Sequence, residues 1–177
     1  MANLHEIDEK IEIVPFRSQW NEIYKLEAKL IQKKLENNIV DIQHIGSTTI
    51  PDIYSKPIID IMIGVKNIEK SELIVQSLIE LGYEYLGEAN IAGRFYFRKR
   101  NKNNYNIALC QHDSEIWINN ILFRDYLKKY PEVAVAYSLL KKKAFDSGAN
   151  TLLKYSDIKK QFINEVIAKA RMVLTNK

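Results

Sequence analysis

The residues best suited to chemistry lie in one stretch, "HIGSTTIPDIYSKPIIDIMIGV", His44 to Val65. Gly46 and Ser47 follow an apolar strand pattern, and Ser47, Thr48 and Thr49 supply consecutive hydroxyls. Glycine permits a tight turn and close approach by another backbone. Successive amides after a strand can form a nest for an anion. Farther on, Asp60 interrupts the apolar run Ile58 to Val65. Side chains alternate along a strand, so Ile58, Asp60, Met62 and Gly64 share one face. Ile59, Ile61, Ile63 and Val65 share the other, which is uniformly branched and must be core. A carboxylate buried alone is costly, so Asp60 requires a cation, donors or water in a cleft. An anion at Gly46–Ser47 and Mg²⁺ on Asp60 suit a single ligand, a phosphate-bearing molecule with its metal.

Other residues admit two readings each. His44 braces the Gly-Ser turn, or touches phosphate or carries a proton. Lys56 is a loop lysine, or a phosphate cation beside Asp60. Arg94, Tyr96 and Arg98 share one face of "RFYFRKR", with Phe95 and Phe97 on the core side. That arginine face lines a cleft for base and phosphate, or is simply solvated. Arg124 pairs with Asp125 or reaches a phosphate. Trp117, Tyr126 and Tyr137 fall in amphipathic patterns and read as core, and Cys110 as a small buried hydrophobe.

These residues must be positioned by elements that the patterning marks out. Residues 1–10 read as a loose tail and "IEIVPF" as a short extended arm. Helical spacing of Trp20, Ile23, Tyr24, Leu30 and Ile31 predicts a helix over 19–37, with Ser18 as its N-cap. "IVDIQHI" alternates as a strand, and "IIDIMIGV" reads as a central strand buried on both sides. A helix over about 70–81 stops at Gly82. "YEYLGEA", "RFYFRKR" and "YNIALCQ" read as strands, the last two joined by the polar turn "NKNN". After Ser114 the chain turns helical: "EIWINNILFRDYLKKY", a second helix opened by Pro131 and broken at "DSGAN", and "SDIKKQFINEVIAKARMVL". The expected fold is α+β, an α/β two-layer arrangement. It has a mixed sheet of about five strands (about 11–113) and a helical C-terminal part (about 114–177), forming a single domain over 1–177.

The 177 residues suffice for a core without disulfides, and a lone cysteine excludes an internal one. The N-terminal residues are charged with no apolar run, which with the single cysteine points to a reducing cytoplasm. No run is long enough for a membrane span. The formal charge of +4 is too mild for a nucleic-acid footprint. Lys141–Lys143 and Lys159–Lys160 read as solvated helix faces.

An apolar residue, Gly-Ser, and an aspartate on a downstream strand resemble the signature of the nucleotidyltransferase fold of the DNA polymerase β type. The fuller string is similar to that of the GrpB family, small bacterial proteins assigned to that fold. The matching residues are His44, Gly46, Ser47, Thr48, Lys56, Pro57, Ile59 and Asp60. "IEIVPF", Trp20, "ILFRDYLKKYPE" and "FINEVIAKAR" extend the resemblance over nearly the whole chain. It implies binding of a nucleotide or phosphorylated small molecule with Mg²⁺, and nucleotidyl transfer to an acceptor where catalysis is present. Gly46, Ser47 and Thr48 would hold phosphates, with His44, Lys56, Arg94, Arg98 and Arg124 as further contacts and Asp60 as metal ligand and catalytic acid. Enzymes of that fold pair carboxylates two residues apart to grip metal. Here Met62 occupies the second position, and Asn106 and Ala108 stand where relatives often show histidines. A catalytically degenerate ligand-binding or protein-interaction module is therefore the alternative implication.

Overall fold

The structure, a computed structural model, describes residues 8–174. Residues 1–7 of the expected tail lie outside the described residues. Residues 8–10 are not loose. Asp8 Oδ1 accepts from the Leu153 amide at 2.9 Å, the Glu9 carbonyl from the Leu152 amide at 2.9 Å, and Lys10 bridges Thr151.

Helix α1 (Trp20–Leu35) buries Trp20, Ala28, Ile31 and Leu35. Its N-cap is Gln19 rather than Ser18, which lies in the preceding turn. Leu30, expected on the buried stripe, is 54% exposed. One residue is about 100° of helical turn, and Ile31 holds the direction of the sheet. Strand β1 (Asp41–Ile45) follows, then the Gly46 turn and loop, then β2 (Ile59–Val65). Helix α2 (Glu72–Glu80) leads to the short β3 (Glu84–Tyr85). Strands β4 (Arg94–Arg100) and β5 (Asn104–Gln111) form the hairpin expected from "NKNN". β3 is shorter than its pattern because Gly87, Ala89 and Asn90 adopt positive φ and curl the chain off the sheet. The three C-terminal helices are α3 (Glu115–Lys129), α4 (Pro131–Asp146) and α5 (Leu152–Leu174). The Ser114 hydroxyl caps α3 by accepting from the Trp117 amide, and Pro131 sits in the first turn of α4. α5 starts before the expected "SDIKKQ", because Glu9 and Asp8 accept from the amides of its first turn.

The sheet is mixed and five-stranded, in the order β1-β2-β5-β4-β3, with only β2 and β5 parallel. One face of the central strands, including Ile61, Ile63, Ile107 and Leu109, packs under α1 and α2. The other, with Ile45, Met62 and Cys110, packs under Trp117 of α3. Gly64 lies below that tryptophan, where a Cβ would come within 2.9 Å of Trp117 and His112. A further apolar cluster joins Ile50 and Ile53 of the loop before β2 to all three C-terminal helices. Among the described residues no helix is long and apolar enough to cross a membrane.

Candidate functional site

Ile45 is the register partner of Asp60, so the chain leaves β1 beside that carboxylate. Gly46 turns over it with φ of 74°. A Cβ at Gly46 would lie 2.5 Å from Asp60 Oδ2, so any side chain there would collide with the acid. On the other side β5 places Asn106 opposite Asp60, and Asn106 Nδ2 donates to Asp60 Oδ1 at 2.7 Å. Asn106 Oδ1 accepts from Arg100 Nη2 at 2.8 Å. The same guanidinium donates to both Glu9 carboxylate oxygens, at 2.6 and 3.0 Å. A chain Glu9–Arg100–Asn106 thus fixes one oxygen of Asp60, while the other lies toward the glycine turn.

A cavity of roughly 210 Å³ opens beside this contact. Gly46, Ser47, Thr48, Lys56 and Asp60 form one wall, and Asn119, Asn120 and Phe123 of α3 another. Tyr137 of α4 and Tyr155, Lys159, Ile163 and Ile167 of α5 close it. The Tyr137 phenol lies near the Ser47 side chain, and burial pushes it above its ordinary value. Lys159 Nζ lies 4.3 Å from the centre of the Tyr155 ring. Behind the wall Lys141 is only 1% exposed; its Nζ donates to the Tyr54 carbonyl and lies 4.5 Å from the centre of the Tyr137 ring. Burial, then the charges of Lys159 and Lys56, push Lys141 down to about 6. Burial, then Lys56, push Lys159 down to about 7, against the opposing pull of Asp60. Asp60 is the only carboxylate among the lining residues, so the cavity carries more cation than anion.

A second cavity of roughly 240 Å³ shares Gly46, Asp60 and Asn120 with the first. Arg94 and Tyr96 line it. Arg94 Nη2 donates to the carbonyls of Glu88 and Ala89 at 3.2 and 3.1 Å, and its Nε is buried with no hydrogen-bond partner.

The structure therefore brings Gly46, Ser47, Thr48, Lys56 and Asp60 to one cavity, with Arg94 on its neighbour. Three expected contacts lie elsewhere. His44 points to the α1 side of β1, stacks on Tyr24 at 4.5 Å and shares a 2.9 Å hydrogen bond with Thr48 Oγ1. Burial pulls it down to about 4, so near neutrality it is an uncharged brace behind the turn. Arg98 binds Glu84 across the β3–β4 pair, at 2.5 and 3.2 Å. Arg124 donates to the Gln43 side chain at 2.8 Å, the His44 carbonyl at 3.1 Å and Asp125 at 2.7 Å, tying α3 to the edge of β1. One guanidinium joins two strands and the other joins a helix to a strand.

Lys141 and Lys159 correct the expectation of solvated faces: neighbours in each run, such as Lys143 and Lys160, are exposed, but these two are not. Tyr155, Lys159, Ile163 and Ile167 are spaced by four, so they form one helical stripe. That spacing was the available signal for Lys159. Arg100 continues the alternation of Arg94, Tyr96 and Arg98, and Asn106 is the register partner of Asp60. Tyr137 is core, as expected, and also faces the cavity.

Among the described residues no group of three or more His, Cys, Asp or Glu converges as a metal cage. Met62 is fully buried against Trp117 and offers no second acid. A single carboxylate with one oxygen engaged suits Mg²⁺ that arrives on a phosphate and keeps its waters, not a protein-caged ion.

The class is thus an α+β protein with a mixed five-stranded sheet and a C-terminal helical part. The chain belongs to the GrpB family, whose model, described as GrpB protein, matches residues 10–169. The UPF0157 protein YqkA of Bacillus subtilis is 34% identical over 155 residues, covering 87% of this chain and 45% of its own. The glutamate-rich protein GrpB of Alkalihalophilus pseudofirmus is 32% identical over 161 residues, covering 88% and 92%. The chain thus spans less than half of YqkA and nearly all of the second relative. The crystal structure of conserved protein GrpB from Enterococcus faecalis matches with a TM-score of 0.81 at 32% identity, over 90% of this chain and 96% of that one.

Proposed function

We propose that this GrpB-family protein has a nucleotidyltransferase-type site that binds a nucleotide or another phosphorylated small molecule. The observation that carries the reading is the contact of the Gly46 turn with Asp60, beside a cavity walled by Lys56 and Lys159. Ser47, Thr48 and Lys56 contact phosphate, and Asp60 holds the Mg²⁺ that the ligand brings. The same site favours binding over transfer. Metal-assisted displacement gains from a pair of ions gripped by paired acids, and Met62 and Ala108 supply none. The ligand-binding module without turnover is therefore the preferred form of the reading.

Calorimetric titration of ATP, GTP, CTP and UTP, with and without Mg²⁺, tests it on wild type and Asp60→Ala. Saturable heat is expected with at least one nucleotide in Mg²⁺, weakened about tenfold or more in the variant. No pyrophosphate is expected to be released. Absence of heat with all four, or equal affinity in Asp60→Ala, overturns the nucleotide reading. Steady pyrophosphate release would instead restore transfer.

A further inference from the structure

We propose that α5, outside the Gly-Ser and Asp motif, carries the principal phosphoryl-recognition wall of this cavity. Lys159 is the direct cationic contact and Tyr155 a hydrogen-bond donor to the same group. The inference deepens the reading above and shares its cavity, but it concerns the terminal phosphoryl group alone and does not depend on a nucleoside.

Three observations converge. First, Tyr155, Lys159, Ile163 and Ile167 make one stripe of α5, and all four line the cavity. A lysine in such a stripe costs desolvation that a leucine would avoid. Second, the cavity's charge is unbalanced. Among the described residues neither Lys56 nor Lys159 has an ion pair, and Asp60 is the single acid of the lining. One of its oxygens is already engaged by Asn106. Third, the Tyr155 phenol is fully buried with no hydrogen-bond partner. Tyr137 and Ser47 line the same cavity as Tyr155. Buried polar groups are nearly always partnered, so this orphan donor beside two lysines without ion pairs fits an acceptor that carries negative charge. A phosphoryl group supplies several such oxygens at once. The adjoining cavity beyond Asp60 leaves room for the rest of the ligand.

The probe is inorganic pyrophosphate without Mg²⁺, titrated by calorimetry into wild type, Lys159→Met, Lys159→Arg, Tyr155→Phe and Lys142→Met. Lys142 is an exposed lysine of α4 paired with Asp146, and its variant controls for net charge. Thermal midpoints verify folding. Expected losses of affinity are about tenfold or more for Lys159→Met and about threefold to tenfold for Tyr155→Phe, with partial recovery in Lys159→Arg and none lost in Lys142→Met. Should Lys159→Met fail to fold, Tyr155→Phe and Lys159→Arg still decide. Wild-type affinity in Lys159→Met, or a loss equal to that of Lys142→Met, overturns the proposal. So does citrate binding as tightly as pyrophosphate, which would make the site a general anion trap. Pyrophosphate binding that survives while all four nucleotides fail sinks only the nucleotide reading.

Discussion

At Gly46 the fold leaves no room for a side chain. The glycine's φ of 74° is unfavourable for any side chain, and a Cβ would press within 2.5 Å of Asp60 Oδ2. Gly46→Ala must distort either the turn or the acid. It is expected to cost about 1–3 kcal/mol in denaturant titration and to abolish pyrophosphate binding. Buried Lys141 and half-buried Lys159 give a second test at this scale. Lys141 and Lys159 lie at about 6 and 7 in the folded protein against an ordinary 10.5. Between those values the unfolded chain holds more protons, so stability rises with pH across that window. Below about 6 both states are protonated and the penalty is fully present. The thermal midpoint of ligand-free protein is expected to climb from pH 7 to 9, where carboxylates no longer titrate. Lys141→Met should flatten the climb; an unchanged slope refutes this account. Gly46, Ser47, Lys56 and Asp60 were legible because they lie in one short string. Lys159 was harder to read: its signal is the four-residue spacing with Tyr155, Ile163 and Ile167, which the run Lys159–Lys160 masks as a solvated face.

At the scale of elements, strands and helices followed from periodicity, whereas their ends were set by distant partners. α5 begins where Asp8 and Glu9 reach it across the molecule. β1 is an edge strand, and edge strands present unpaired polar groups. Here they are covered by side chains: Tyr24 donates to the Ile42 carbonyl at 3.1 Å, Asp41 accepts from the Ile42 amide at 2.7 Å, and Arg124 takes the His44 carbonyl. That duty diverts Arg124 from the cavity, and a reading of α3 by itself cannot reveal it. On the opposite face of the sheet Glu27 of α1 is buried and accepts from Lys99 Nζ at 2.8 Å and the Tyr83 hydroxyl at 2.9 Å. Both partners are far away in sequence, so Glu27 reads locally as one more surface glutamate. Removing its charge leaves Lys99 desolvated and unpaired. Glu27→Gln is expected to lower unfolding free energy by about 3 kcal/mol in denaturant titration, an effect that a solvated glutamate would not produce.

At the scale of the whole molecule, the cavity exists because separate parts meet: the glycine turn and Asp60 of the sheet, the loop carrying Lys56, and all three C-terminal helices. Ile53 is the apolar pin of that meeting. It is fully buried, lies in the loop before Lys56, and joins the cluster that packs α3, α4 and α5 together. Shortening it should leave a void and cost about 2–5 kcal/mol, comparable with Glu27→Gln. The two variants nevertheless differ in what they disturb. Glu27 stabilises the opposite face of the sheet, under α1, whereas Ile53 packs the loop that carries Lys56 into the cluster of the helices that wall the cavity. Ile53→Ala is therefore expected to weaken pyrophosphate binding severalfold at a temperature where it remains folded, and Glu27→Gln to leave affinity unchanged. Calorimetry on both, matched for distance below their thermal midpoints, separates geometry from global stability. Equal losses of affinity in the two would mean that binding follows overall stability, and that the convergence of loop and helix on one phosphoryl group is not what holds the ligand.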